Sequence, residues 1–163
     1  LPVRCAGITD QDPPKKMKDV SGNEIDFLPT PENKKTGNNP ALKLIAKVNT
    51  SKWVRLYANE LKTFEYDLAM EGANLGIMSA VASKLCVEKP QVQKKLKEYS
   101  KRKWVGEKDN NVKAKAAIYL LNQIEKGEYA QKLAEELKDQ STKFTVPTYI
   151  QKAILWACGG IDD

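Results

Sequence analysis

Six of the eight prolines in this 163-residue chain lie within its first 40 residues: Pro2, Pro13, Pro14, Pro29, Pro31 and Pro40. Proline fixes φ and lacks a backbone donor, so this density forbids a helix over residues 1–40 and disfavours a central strand. Turn formers at Ser21-Gly22-Asn23 and Gly37-Asn38-Asn39 interrupt the segment further. Lys16–Val20 and Glu24–Leu28 around the first turn read as a weak hairpin. The description that best fits residues 1–40 is an extended arm with spaced apolar anchors, among them Val3, Ile8, Ile25 and Phe27.

From Asn39 the pattern turns helical. Asn39 with Pro40 at the first position starts a short helix through Ala41–Val48. Ser51 reads as the cap of a longer helix, in which Trp53, Tyr57, Leu61, Phe64 and Leu68 form an apolar stripe. Leu75–Cys86 is apolar nearly all round, which places it at the centre of a bundle. Pro90 opens a lysine-rich helix that Gly106 closes, and Asp109-Asn110-Asn111 caps the next one, in which Val112, Ala116, Tyr119, Leu120 and Ile124 form an apolar stripe. Tyr129, Leu133 and Leu137 mark a further helix. Ser141–Val146 reads as extended, and a last apolar helix runs from Pro147 to Gly159-Gly160. The expected fold is therefore all-α: a bundle of about six helices over residues 41–163 as one domain, preceded by the Pro-rich arm of residues 1–40.

Charge carries the functional signal. The chain has 27 Lys and Arg against 21 Asp and Glu, a net charge of +6. Residues 91–115 alone hold 9 cations and 3 acids, which is also +6. A local basic patch of this kind attracts an anionic partner. On a helix starting at Pro90, Val92, Leu96 and Tyr99 face the bundle. Lys94, Lys97 and Lys101 then line one flank and Lys95 and Arg102 another, with Glu98 offering the one internal neutralisation and Lys103 leading the patch onward. Trp104 and the cations Lys108, Lys113 and Lys115 extend the patch. These ten residues (Lys94, Lys95, Lys97, Lys101, Arg102, Lys103, Trp104, Lys108, Lys113 and Lys115) are the nucleic-acid-binding candidates. The cations release counterions from phosphates, and Trp104 offers a stacking surface. The bland alternative is a solvated helix face, with Trp104 pinning the helix end into the core.

Catalysis finds no support. The chain has no histidine, which removes the commonest general base and metal ligand. Cys5, Cys86 and Cys158 lack zinc-ligand spacing, and no Gly-rich phosphate cradle occurs. Asp67 and Glu71, one helical turn apart, read as a solvated face, and Cys86 and Cys158 as buried thiols. No enzyme, metal or cofactor is expected. Asn49-Thr50-Ser51 matches a glycosylation sequon, but Ser51 is better used as a cap. No apolar run is long enough to span a bilayer.

The expected function is a structural protein that coats or packages nucleic acid, DNA or RNA, without sequence readout. It would self-assemble into an oligomer or filament through residues 1–40 and the C-terminal apolar helix. In plan this resembles the arm-plus-bundle coat proteins of filamentous viruses, a likeness of architecture that no motif carries. A virion or intracellular location would follow, with secretion left open. The alternative is a helical interaction module whose Lys-rich face binds an acidic protein.

Overall fold

The computed structural model describes residues 3–35, 39–106, 110–140 and 143–160, leaving aside the side chains of 139 and 140. In chain order the elements are β1 (Cys5–Thr9), β2 (Lys16–Lys18), β3 (Glu24–Asp26), α1 (Leu42–Val48), β4 (Val54–Ala58) and α2 (Phe64–Met70). They continue as α3 (Asn74–Leu85), α4 (Pro90–Lys101), α5 (Asn110–Leu121), α6 (Lys126–Gln140) and α7 (Thr148–Ala157). The fold is helix-dominated but mixed α/β, with 50% of it helical, which corrects the all-α expectation.

The expected arm supplies much of the difference. β1 pairs with β4 in parallel, from Cys5 opposite Val54 to Thr9 opposite Ala58. Parallel strands need a long crossover, and residues 10–53 provide it, carrying a hairpin and α1. The hairpin forms as read: β2 and β3 are antiparallel, with Lys16 opposite Asp26. Asp19 shapes its turn by accepting hydrogen bonds from the amides of Ser21 and Asn23, both at 2.8 Å. These bonds hold the Asp19 carboxyl below its usual range, that of Asn23 most of all.

β4 also displaces the expected helix over Trp53–Leu68. Ser51 caps no helix: its Oγ accepts from the amides of Trp53 (3.1 Å) and Val54 (3.2 Å) in a turn, and the chain beyond it is extended. Asn49 supplies a substitute strand neighbour. Its Oδ1 accepts from the Leu56 amide (2.8 Å) and its Nδ2 donates to the Leu56 carbonyl (3.1 Å). The sequon asparagine is thus held by the sheet. Gly7 lies opposite Leu56, and a Cβ there would stand 2.7 Å from the Leu56 Cδ2.

The chain divides into two compact units, residues 1–67 with 146–163 and residues 68–145. In the first, α7 packs on β1 and β4, and α1 packs on β4. Trp156 is buried, with the guanidinium groups of Arg4 and Arg55 over its ring at 5.5 and 5.2 Å from the centre. Tyr66 is wholly buried, and its hydroxyl donates to the Pro29 carbonyl at 2.7 Å. Asp67, expected on a solvated face, is also buried. Its carboxylate accepts from the amides of Glu60 (2.7 Å), Leu61 (3.1 Å) and Lys62 (3.1 Å), and from Asn59 Nδ2 (3.1 Å). Burial raises the Asp67 carboxyl above its usual range, and these donors oppose the shift.

In the second unit α3 is the central helix, as its composition predicts. Leu75, Met78, Val81 and Ala82 are buried on it, and α4, α5 and α6 pack around it. Burying each of the larger chains contributes about 1.5–3 kcal/mol. Asn74 ties its start to the end of the unit, accepting from the Thr145 amide (2.8 Å) and donating to the Thr145 carbonyl (2.7 Å). The expected Asp109 cap, the turn residues Gly37-Asn38 and the first two residues of the Ser141–Val146 segment lie outside the described residues.

Replacing Asp67 leaves three loop amides without an acceptor inside the first unit. Asp67→Ala is expected to lose roughly 3 kcal/mol of unfolding free energy or more, measured by denaturant titration.

Candidate nucleic-acid interface

Pro90 sits at the start of α4, where its missing N–H costs nothing. Leu96 is wholly buried and anchors the helix on α3, and that anchoring decides which side chains reach water. Lys94, Lys95, Lys97 and Lys101 are exposed on α4, and Arg102 and Lys103 are exposed just after it. Lys115 adds a further exposed cation on α5. Of the ten predicted residues, these seven form one surface. From Lys94 to Lys101 the rise is about 10 Å, close to one Debye length at physiological salt. The charges therefore act on an approaching anion together. Among the described residues, Lys94, Lys97, Lys101 and Lys103 form no salt bridge.

Two of the ten predicted residues, Trp104 and Lys113, fall away from this surface. Lys108 lies outside the described residues. Trp104 is buried, its Nε1 donating to the Tyr99 carbonyl at 2.8 Å. Its ring fits against Gly76, where a Cβ would stand 3.5 Å from the Trp104 Cδ1. It pins the helix end and is withdrawn from stacking. Lys113 is buried as well, and its ammonium donates to the carbonyls of Met70 (2.8 Å) and Gly72 (2.7 Å). Burial lowers its pKa below the ordinary lysine value, and the Glu71 charge opposes the shift.

The surface carries two depressions. One, of about 390 Å³, is lined by Gln93, Lys94, Lys97, Glu98 and Lys101 along α4. The other, of about 350 Å³, lies between α4 and α5 and includes Lys95, Tyr99, Arg102, Lys115, Ala116 and Tyr119. The Tyr99 and Tyr119 rings meet edge to face, with centres 5.9 Å apart. The Lys95 ammonium stands 4.1 Å from the centre of the Tyr119 ring, and the Arg102 guanidinium stands 4.7 Å from that of Trp104. Sequence reading placed Tyr119 in a core stripe and missed it here. The available signal was Lys95 followed four residues later by Tyr99, which share one helix face.

The first unit has a separate polar edge at the carboxyl ends of β1 and β4. Asp10 is half-buried and accepts from the Phe64 amide at 3.0 Å. Asp12 has a φ of 47°, a left-handed conformation that non-glycine residues seldom adopt. The Tyr149 hydroxyl is buried, with no hydrogen-bond partner among the described residues. Burial raises its pKa, and the charges of Asp67, Asp10, Glu65 and Glu60 add to the rise. Among the described residues no three Cys, Asp or Glu side chains are grouped to hold a metal ion. Cys86 is buried, whereas Cys158, expected to be buried, is exposed, as is Cys5. No described helix is long and apolar enough to cross a membrane.

No protein-family model, curated protein or solved structure matches this chain.

Lys113→Met is expected to strand two buried carbonyls and cost about 1–3 kcal/mol, while nucleic-acid affinity of the folded protein stays unchanged. Because folding lowers the Lys113 pKa, the unfolded chain holds the extra proton between that value and 10.5. Stability conferred at this site therefore rises with pH across that window. The gap between thermal melts of wild type and Lys113→Met should stay constant below that window and widen as pH rises through it toward 10.5. Parallel pH profiles would contradict the assignment.

Proposed function

We propose that this chain binds the phosphate backbone of nucleic acid, without sequence readout, through Lys94, Lys95, Lys97, Lys101, Arg102, Lys103 and Lys115. The observation that carries the reading is the clustering of seven exposed cations on α4 and its flank beside a single helix acid, Glu98. Cations held this close repel one another in water and are relieved when phosphates lie against them. Lysine contributes point charges rather than a bidentate fork, which suits backbone contact and not base reading. A coating role through self-assembly rested on a free N-terminal arm and on the C-terminal apolar helix, now α7, which packs on β1 and β4. With β1 paired to β4, that arm is engaged within its own chain, and the proposal is confined to binding.

A second reading rests on the same exposed cations: the Lys-rich face of α4 meets an acidic partner protein in place of phosphates.

Binding to random-sequence duplex across a salt series tests the first reading. Log affinity should fall linearly with log salt, with a slope no steeper than about −6 for seven contacts. Lys97→Ala should lower that slope by about 1. Binding only to an acidic protein, and to no nucleic acid at low salt, would contradict it.

A further inference from the structure

The depression between α4 and α5 differs chemically from its neighbour along α4. Its lining joins the apolar side chains of Tyr99, Trp104, Val112, Ala116 and Tyr119 to the cations Lys95, Arg102 and Lys115. Both tyrosines are half-exposed. A volume of about 350 Å³ lies at the small end of ligand sites. A lining that joins aromatic rings to cations complements one occupant well: a planar, electron-rich ring with phosphate groups on either side.

We propose that this depression is a stacking subsite for one unpaired base, so that the preferred ligand of the basic face is single-stranded nucleic acid. The inference rests on the backbone-binding reading and narrows it. A base inside a duplex is stacked on both sides and cannot enter without being extruded. A single strand offers its bases freely, and proteins that bind such strands combine a cationic track with aromatic platforms. Here the track is Lys94, Lys97 and Lys101, and the platform lies on the adjoining flank. Lys95 links the two. In the free protein its ammonium covers the Tyr119 face at 4.1 Å. Its flexible stem lets that charge move to a phosphate, freeing the ring for a base. This exchange preserves a partner for the cation throughout, because cation–π contact is replaced by an ionic one.

Fluorescence anisotropy with a labelled oligothymidylate and with a duplex of equal length tests the proposal. Wild type should bind the single strand more tightly. Tyr119→Leu, which keeps the apolar bulk without the ring, should weaken single-strand binding roughly 5-fold or more and leave duplex binding unchanged. Lys97→Ala should weaken both. Equal weakening of both ligands by Tyr119→Leu, or weakening of neither, would overturn the stacking subsite while the backbone reading stands. No binding of either ligand by wild type at low salt would remove both. If Tyr119→Leu does not fold, photocrosslinking of a bromouracil-containing single strand to the wild-type chain decides. Adducts on Tyr99 or Tyr119 are expected, and adducts confined to other residues would overturn the subsite.

Discussion

The carboxylate of Asp67 organises the first unit. It sits on α2, accepts the amides of residues 60–62 and the Asn59 side chain, and so fixes how the chain leaves β4. Asn59 in turn accepts from the Gln11 amide, and its own amide donates to the Thr9 carbonyl at 3.1 Å. One buried charge thus orders the carboxyl ends of both strands. A two-stranded parallel sheet is marginal by itself. This one depends on α7 across it, on the Asn49 side chain bonded to Leu56 and on the Asp67 turn at its end. The polar edge with Asp10, Asp12 and Tyr149 is a product of the same arrangement.

The second unit is built on different physics. An almost wholly apolar α3 is wrapped by helices that each present one apolar stripe, and the outer face of α4 is left to charge. Burial sorts the basic segment residue by residue. Leu96 and Trp104 turn inward, and Lys113 is drawn in to satisfy the carbonyls of Met70 and Gly72. What remains outside is Lys94, Lys97 and Lys101 along α4, Lys95, Arg102 and Lys115 around a pair of tyrosines, and Lys103 just after the helix. On the proposed reading, charge supplies nonspecific affinity, and the aromatic pair supplies a preference between kinds of nucleic acid.

Local periodicity made α3, α4 and α7 readable, because a helix is specified by neighbours three and four residues away. The hairpin was readable for a similar reason, since Ser21-Gly22-Asn23 is a local turn. The parallel pair was not. Cys5 meets Val54 only through tertiary structure, and Trp53, Tyr57 and Leu61 carry a helical spacing that the strand overrides. Lysine composition revealed the basic patch but not that Lys113 is internal, because nothing in the sequence marks the two carbonyls that draw it in. Tyr119 was hidden by the same stripe that correctly placed Ala116 and Leu120 in the core.

The central claim is that the basic face of α4 is where nucleic acid lies. Lysine acetylation footprinting, with and without a bound oligonucleotide and read by mass spectrometry, addresses it residue by residue. Protection on Lys94, Lys95, Lys97, Lys101, Lys103 and Lys115 is the predicted result, with Lys113 unreactive in both states and Lys16, Lys18 and Lys152 equally reactive in both. Protection centred on residues outside α4 and α5, with Lys94, Lys97 and Lys101 still reactive, would contradict it.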